Sequence, residues 1–285
     1  MSTTITKNPY IPKPVTIERI ILENDAKDLK SFQLIFDNKE DAGGFLFSCG
    51  QFAMLSVPGA GECPIGIASS PLNKKYVEFT VKRYQYGTVT SALHNLRPGA
   101  HIGVRGPYGN SFPMDEMKGK NIIIIGGGFA FTTLRSTIQY ITDGRNRSDY
   151  KNITIIYGAR NPGELLYKQE ISEWQQRADI AIHITVDKAD NSWTGNRGFV
   201  PDMVKKADPS PLNSIVLVCG PPLMLKFTLP VLLGSGFHGQ QLYTSLERKM
   251  SCGIGKCGKC NIETKYVCKD GPVFNYEEIR EQFLV

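Results

Sequence analysis

Four of the seven cysteines, Cys252, Cys257, Cys260 and Cys268, crowd into one glycine- and lysine-rich stretch near the end of the chain, spaced C-x4-C-x2-C-x7-C. The first three reproduce the spacing with which a tight loop wraps one side of a plant-type [2Fe-2S] cluster. Gly253, Gly255 and Gly258 lie between them. Glycine reaches left-handed conformations and lets amide N–H groups approach sulfur, where they offset the negative charge of a buried cluster. Zinc fits less well, because its structural sites pair two C-x2-4-C knuckles and only one short pair is present. Disulfides fit less well again: Met1–Ile11 is polar, without a secretory pattern, and an odd cysteine count points to a reducing compartment, the cytoplasm. Cysteines packed among lysine and glycine also make a poor apolar core. The stretch reads as a [2Fe-2S] lobe with those four thiolates as iron ligands.

At 285 residues the chain has room for two domains ahead of such a lobe. A net charge of +6, with basic residues scattered rather than interleaved with aromatics, argues against nucleic acid as a partner. It suits cofactor phosphates or an acidic partner face. The longest apolar run, Ile122–Phe131, is interrupted by three glycines and falls far short of the roughly 20 residues of a membrane span. His94, His101, His183 and His238 show no ligand-like spacing.

From about Lys13 to Phe112 the pattern is β. Thr16–Leu22, Ser31–Phe36, Phe52–Val57, Val77–Lys82 and His101–Arg105 alternate or are β-branched between turn residues, as in a small antiparallel barrel. After a polar joint at Met114–Lys120 the pattern changes. Asn121–Ile125 is a continuous apolar run, as in a strand buried on both faces, followed by Gly126-Gly127-Gly128 and a helix to about Thr142. Strands at Ile153–Tyr157, Ile180–Val186 and Ser214–Cys219 then alternate with helices at Gly163–Gln176 and Pro222–Gly234. The expected fold is an N-terminal antiparallel β-barrel over residues 1–113, a doubly wound parallel α/β sheet over 114–240 and the cysteine lobe over 241–285.

Several marks now occur in a familiar order: Gly50-Gln51-Phe52, Ile67-Ala68-Ser69-Ser70, Gly87-Thr88-Val89-Thr90, Gly106-Pro107-Tyr108-Gly109, the triple glycine and Cys219-Gly220-Pro221-Pro222-Leu223-Met224. Together they resemble the ferredoxin–NADP reductase superfamily over nearly the whole chain. The terminal cluster, ending Val267-Cys268-Lys269-Asp270-Gly271-Pro272, narrows the resemblance to three kinds of electron-transfer subunit. These are the gamma subunit of sulfhydrogenases, the corresponding chain of anaerobic sulfite reductase and the electron-transfer subunit of dihydroorotate dehydrogenase. Leu246-Glu247-Arg248-Lys249-Met250-Ser251-Cys252 leans toward the first two.

The resemblance implies an FAD-binding barrel, an NAD(H)- or NADP(H)-binding domain and an iron–sulfur lobe. Such a chain passes electrons between NAD(P)H and partner subunits, of hydrogenase or sulfite-reductase type, that carry the terminal chemistry. For FAD it points to Cys63, Pro64, Ile65, Gly66, Ile67, Ala68 and Ser69 at the isoalloxazine edge and to Gly87, Thr88, Val89 and Thr90 at the pyrophosphate. Cys63-Pro64-Ile65-Gly66 replaces the superfamily's R-x-Y-S. For the nicotinamide nucleotide it points to Gly126, Gly127, Gly128, Thr132, Gly220, Pro221 and Met224, with Cys219 as the catalytic candidate that shapes hydride geometry. Arg160 is the one group suited to an adenosine 2′-phosphate; without a second basic group or a serine at Ala159, NAD(H) is the better fit.

Two departures keep a second reading open. Ala130 replaces a glycine and Thr133 a proline of the nucleotide loop, and Phe129 and Phe131 beside them would narrow the pocket. The chain would then be a relay that conducts electrons between partners without binding nicotinamide. A third reading, a zinc-stapled interaction module on a vestigial reductase fold, requires zinc in place of iron.

Overall fold

The computed structural model describes residues 8–283. Six strands, β1 (Lys13–Leu22), β2 (Leu29–Phe36), β3 (Phe52–Val57), β4 (Gly61–Gly66), β5 (Val77–Lys82) and β6 (His101–Tyr108), form an antiparallel sheet in the order β4-β3-β6-β1-β2-β5. Its ends meet where Ile67 bridges Phe79 and the Ala68 amide donates to the Glu78 carbonyl at 2.8 Å, which closes the barrel. Inward positions alternate along the strands, Val15 and Ile17 being fully buried on either side of a half-buried Thr16. Two short helices, α1 (Lys39–Gly44) and α2 (Thr88–Asn95), decorate it. The strand β4 has no counterpart among the expected strands: a proline and flanking glycines mask its pattern, and it pairs residue for residue with β3.

The second sheet has β7 (Asn121–Gly127), β8 (Ile153–Ala159), β9 (Ile180–Val186), β10 (Asn196–Arg197), β11 (Ser214–Cys219) and β12 (Leu242–Ser245) in the order β10-β9-β8-β7-β11-β12, all parallel. The apolar run of β7 now has its cause. Ile122 and Ile124 pack on the face covered by α3 (Phe131–Thr142), while Ile123 and Ile125 pack on the face covered by α5 (Val200–Ala207) and α6 (Pro222–Gly234). Gly163–Gln176 is not one helix. Gly163 and Glu164 end a short 3-10 turn, Leu165 is extended, Tyr167 takes φ +54°, and only Lys168–Gln175 is α-helical (α4). Leu165, Leu166 and Tyr167 are buried, and the Tyr167 hydroxyl meets Thr80 of the barrel at 2.6 Å, so tertiary contacts outweigh helix propensity here.

The cysteine lobe adds the small hairpin β13 (Asn261–Ile262) and β14 (Lys265–Tyr266), then β15 (Val273–Asn275) and α7 (Tyr276–Ile279). β15 joins the second sheet antiparallel to β12, so the sheet's chain runs past the boundary expected at residue 240. The lobe shares a core with the barrel, in which Phe52 and Met54 pack with Cys260, Ile262, Val267, Cys268 and Phe274. Barrel and sheet are joined by Arg135 of α3. Its buried guanidinium reaches the Ala68 carbonyl at 3.1 Å, Glu78 at 2.5 Å and Glu170 at 2.5 Å, and it lies 4.5 Å from the Tyr167 ring centre.

Candidate active site and cluster centre

Strand order reverses at β7, whose neighbours are β8 and β11. In a doubly wound sheet, ligands bind in the crevice that such a reversal opens beyond the carboxyl ends of the strands. A cavity of about 500 Å³ lies there, lined by Tyr84 from the barrel, Phe129, Ala130 and Cys219 from the sheet, and Glu247 and Arg248 from the approach to the lobe. All three parts of the chain meet in it. Gly128 takes φ +54° in the turn that leads into α3. Neither α3 nor α6 has a side chain capping its N-terminus; the Phe131 amide is taken by the Gly128 and Phe129 carbonyls, and α6 begins with Pro222, which has no N–H.

The glycines of this crevice serve packing as well as approach. A methyl on Gly126 would collide with the Phe131 ring, and one on Gly127 or Gly220 with the Met224 thioether. Phe131 does not narrow the crevice as expected. It is fully buried and stacks on Tyr157 at 4.0 Å between ring centres, because the turn at Gly128 points it into the core. Ala130 has right-handed backbone angles, so its methyl costs no strain.

Cys219 is 2% exposed and its thiol donates to the Ser245 carbonyl at 3.6 Å. Burial pushes the thiol up to about 12, against the Thr133 hydroxyl beside it, so it is a neutral group at pH 7. Thr133 also faces Gly66 of the barrel. Thr132 is buried, and Arg160 is exposed past the end of β8. Glu247 is exposed as a residue, yet its carboxyl is crowded enough for desolvation to raise it above the ordinary 4.5. Tyr84, Glu247 and Arg248 escape a reading of the sequence as site residues, because what brings them here is the packing of three domains; the run Leu246-Glu247-Arg248 was the one available signal.

On the barrel, Cys63 to Gly66 run half-buried along β4, whereas Ile67, Ala68 and Ser69 are at most 2% exposed. The last three are occupied by protein: the Ser69 hydroxyl accepts from the Glu78 amide at 3.0 Å, and its carbonyl accepts from Ser136 at 2.8 Å. They close the barrel and seat α3. Gly87 precedes α2 without a side-chain cap, and Thr88 and Thr90 stand in its first turn. The Thr90 hydroxyl donates to the Gly87 carbonyl at 3.2 Å, and Val89 packs on the barrel core.

In the lobe the expected chemistry of the cysteine loop is visible as N–H···S bonds. The Cys252 sulfur accepts from the amides of Lys256 (3.3 Å), Cys257 (3.4 Å) and Ile254 (3.5 Å); the Cys268 sulfur accepts from Gly255 (3.0 Å) and the Cys260 sulfur from Cys268 (3.5 Å). Gly253, Gly255 and Gly258 all have φ near +75° (75°, 75° and 74°), the conformation that aims these amides inward. Burial alone raises Cys252, but donations from Ile254, Cys257 and Lys256 outweigh it and lower the thiol to about 6. Burial and the neighbouring Cys260 push Cys268 up to about 12. Preformed donors around thiolates suit an anionic iron–sulfur group. Cys260 and Cys268 are buried, Cys252 half-buried and Cys257 exposed. Among the described residues, no three His, Cys, Asp or Glu side chains are gathered for a single metal ion.

Comparison with known proteins agrees with this geometry. Family models match for an oxidoreductase FAD-binding domain at residues 22–112, an oxidoreductase NAD-binding domain at 124–229 and the iron–sulfur cluster binding domain of dihydroorotate dehydrogenase B at 247–280. Sulfhydrogenase 1 subunit gamma of Pyrococcus furiosus is 39% identical over 279 residues, covering 95% of this chain and 93% of that one. The probable electron-transfer subunit of dihydroorotate dehydrogenase B (NAD(+)) of Thermococcus kodakarensis is 33% identical over 265 residues, 93% of this chain and 97% of that one. Among solved structures, that of an NADH-dependent reduced ferredoxin–NADP oxidoreductase aligns with a TM-score of 0.73 and 25% identity, over 93% of this chain and 88% of that one. Fold and site thus define an oxidoreductase with FAD-binding, NAD-binding and iron–sulfur domains. The chain belongs to the family of iron–sulfur flavoprotein electron-transfer subunits that includes those of sulfhydrogenase and dihydroorotate dehydrogenase B. No helix of the described residues is long and apolar enough to cross a membrane.

Proposed function

We propose that the chain oxidises NADH to NAD+ at the crevice between β7 and β11 and delivers the two electrons through a [2Fe-2S] cluster on Cys252, Cys257, Cys260 and Cys268 to catalytic partner subunits. The carrying observation is the convergence of Tyr84, Cys219 and Glu247, one from each part of the chain, on a single cavity. When bound, FAD converts a two-electron hydride donor into single electrons and the cluster carries them one at a time.

The residues of the chain supply geometry. Gly126, Gly127, Gly128 and the start of α3 with Thr132 receive the nucleotide pyrophosphate, with Gly220 and Pro221 forming the opposite wall and Met224 packed behind Gly127 and Gly220. Cys219, neutral and small, spaces the nicotinamide against the barrel. Cys63 to Gly66 offer backbone groups along β4 to the flavin ring, and Gly87, Thr88 and Thr90 offer donors to its pyrophosphate. Exposed Cys257, flanked by exposed Lys256 and Lys259, is the edge from which electrons leave toward an acidic partner face. At the adenosine end, Arg160 stands beside an acid, Asp187, and a second base, Lys188, whose amide donates to the Arg160 carbonyl at 2.9 Å. Burial raises the Asp187 carboxyl, Glu164 raises it further, and Arg160 and Lys188 lower it, so the acids and bases lie within one another's field. A carboxylate here favours ribose hydroxyls over a 2′-phosphate, hence NAD(H) over NADP(H). The fold and the thiols suit a reducing cytoplasm.

The test is an anaerobic visible spectrum of the purified protein before and after NADH, then NADPH, with flavin, iron and acid-labile sulfide quantified. Bleaching of flavin and iron–sulfur bands by NADH, with two irons per chain, is the expected result. Bands that dithionite bleaches and neither nucleotide does would make the chain a relay. Zinc without sulfide would leave only the interaction module.

A further inference from the structure

We infer that Arg105, a barrel residue, is the positioning residue that fixes the cluster loop against the flavin domain and tunes the cluster's potential; this rests on the [2Fe-2S] reading above. Its guanidinium is 2% exposed and uses all five N–H groups. Nε and Nη2 form a fork on Glu62 at 2.8 and 2.6 Å; Nη1 reaches the Pro9 carbonyl at 3.0 Å and the Tyr108 hydroxyl at 3.2 Å. Nη1 and Nη2 both reach the carbonyl of Cys252, at 3.3 and 3.4 Å. Cys252 lies 147 residues away in sequence and is the first cysteine of the loop. No other salt-bridged side chain among the described residues donates to the backbone of one of the four cysteines.

The surroundings make this a fixed seat. The next residue, Gly253, lies flat on the barrel, its missing Cβ only 3.2 Å from Met54 and 3.3 Å from Tyr108. The rings of Tyr10 and Tyr108 each stand 5.7 Å from the guanidinium carbon, which screens the contact from water. A positive charge held at one cysteine's carbonyl in a dry site favours the more negative, reduced state of the cluster. Because β6 is rigid, the contact also sets how far the loop stands from the flavin barrel. Glu62 orients the fork without touching the loop.

The experiment compares the full-length protein, purified anaerobically, with Arg105→Gln, Arg105→Lys and Glu62→Gln. Flavin, iron and sulfide are counted, and the cluster midpoint is read by redox titration followed by electron paramagnetic resonance. In Arg105→Gln the ratio of reduced to oxidised cluster at the unsubstituted midpoint is expected to fall about tenfold, equivalent to about 59 mV for a one-electron couple. Flavin content and flavin bleaching by NADH stay as they were. Arg105→Lys keeps the charge but not the fork, so it shifts less in potential and changes the resonance line shape. Glu62→Gln lowers the melting temperature and, by removing the carboxylate that offsets the guanidinium charge, moves the midpoint the opposite way, toward positive potential. Iron lost from both Arg105 variants with flavin retained also supports the role. An unmoved midpoint, a Glu62→Gln shift in the same direction as that of Arg105→Gln, or joint loss of flavin and iron would assign Arg105 to barrel stability and overturn it. Absence of iron and sulfide from the unsubstituted protein would remove the cluster reading as well.

Discussion

Cys219 and Gly126 are paired neighbours at the ends of β11 and β7, so a thiol faces a residue without a side chain across the point where the strand order reverses. Cys219 lines the crevice, while the space beside Gly126 is filled by the Phe131 ring. Replacing Cys219 by alanine tests the spacing role proposed for its thiol while leaving the glycine walls. NADH-driven flavin bleaching is expected to slow by roughly ten- to a hundredfold, the scale of a misplacement near 1 Å, with flavin content unchanged. Stopped-flow measurement checks this. Burial raises the thiol to about 12, so its proton is lost only near that pH, and the rate should show no thiol limb at neutral pH.

Adjacent glycines of the loop should respond differently to a methyl group. Gly126→Ala meets Phe131, a ring locked against Tyr157, and is expected to cost about 1–3 kcal/mol by overpacking. Gly127→Ala meets the end of the flexible Met224 side chain, which can swing aside. Urea denaturation should separate the two, with a clear fall in midpoint for the first and a smaller one for the second.

In the lobe, Gly255→Ala combines two penalties. A side chain at φ +75° costs roughly 1–2 kcal/mol, and its Cβ would stand 2.9 Å from Lys269. The amide that donates to Cys268 at 3.0 Å then shifts. Iron content after purification is expected to fall while flavin content holds, and full iron occupancy would contradict the role given to this donor.

Acid sensitivity should be traceable to Glu62. Hydrogen bonds from Arg105 hold its carboxyl below the ordinary 4.5, burial opposing and Ser56 assisting. A depressed folded-state pKa contributes stability that is present above the unfolded value and lost as pH falls through the folded one. At 28% exposure solvent screens the pair and keeps the contribution modest. The denaturation midpoint is expected to drop as pH falls below the ordinary carboxylate value of 4.5, and less steeply in Glu62→Gln. Parallel curves would show that the pair carries no such linkage.

What was legible in the sequence was local. Phe52–Val57, Val77–Lys82, Ile180–Val186, Ser214–Cys219 and Pro222–Gly234 have the bounds that periodicity and punctuation indicate, since burial on one or both faces writes itself into the pattern. The cysteine loop was legible for the same reason: ligand spacing and left-handed glycines are short-range. The helix α5 and the strand β12 were not, being short and dependent on neighbours for their burial. Nor was the inward turn of Phe131, which one positive φ at Gly128 decides. Arg105 reads as an ordinary strand arginine until the fold sets it beside Cys252.

The pairing of β15 with β12 gives the iron-binding lobe a second duty, as the guard on an otherwise open flank. Tyr243, Thr244 and Ser245 would present unpaired backbone groups if β15 let go, and exposed strand edges invite pairing between molecules. Damage to the cluster in air is therefore expected to end in precipitation as well as lost electron transfer, and scattered light would rise after iron release.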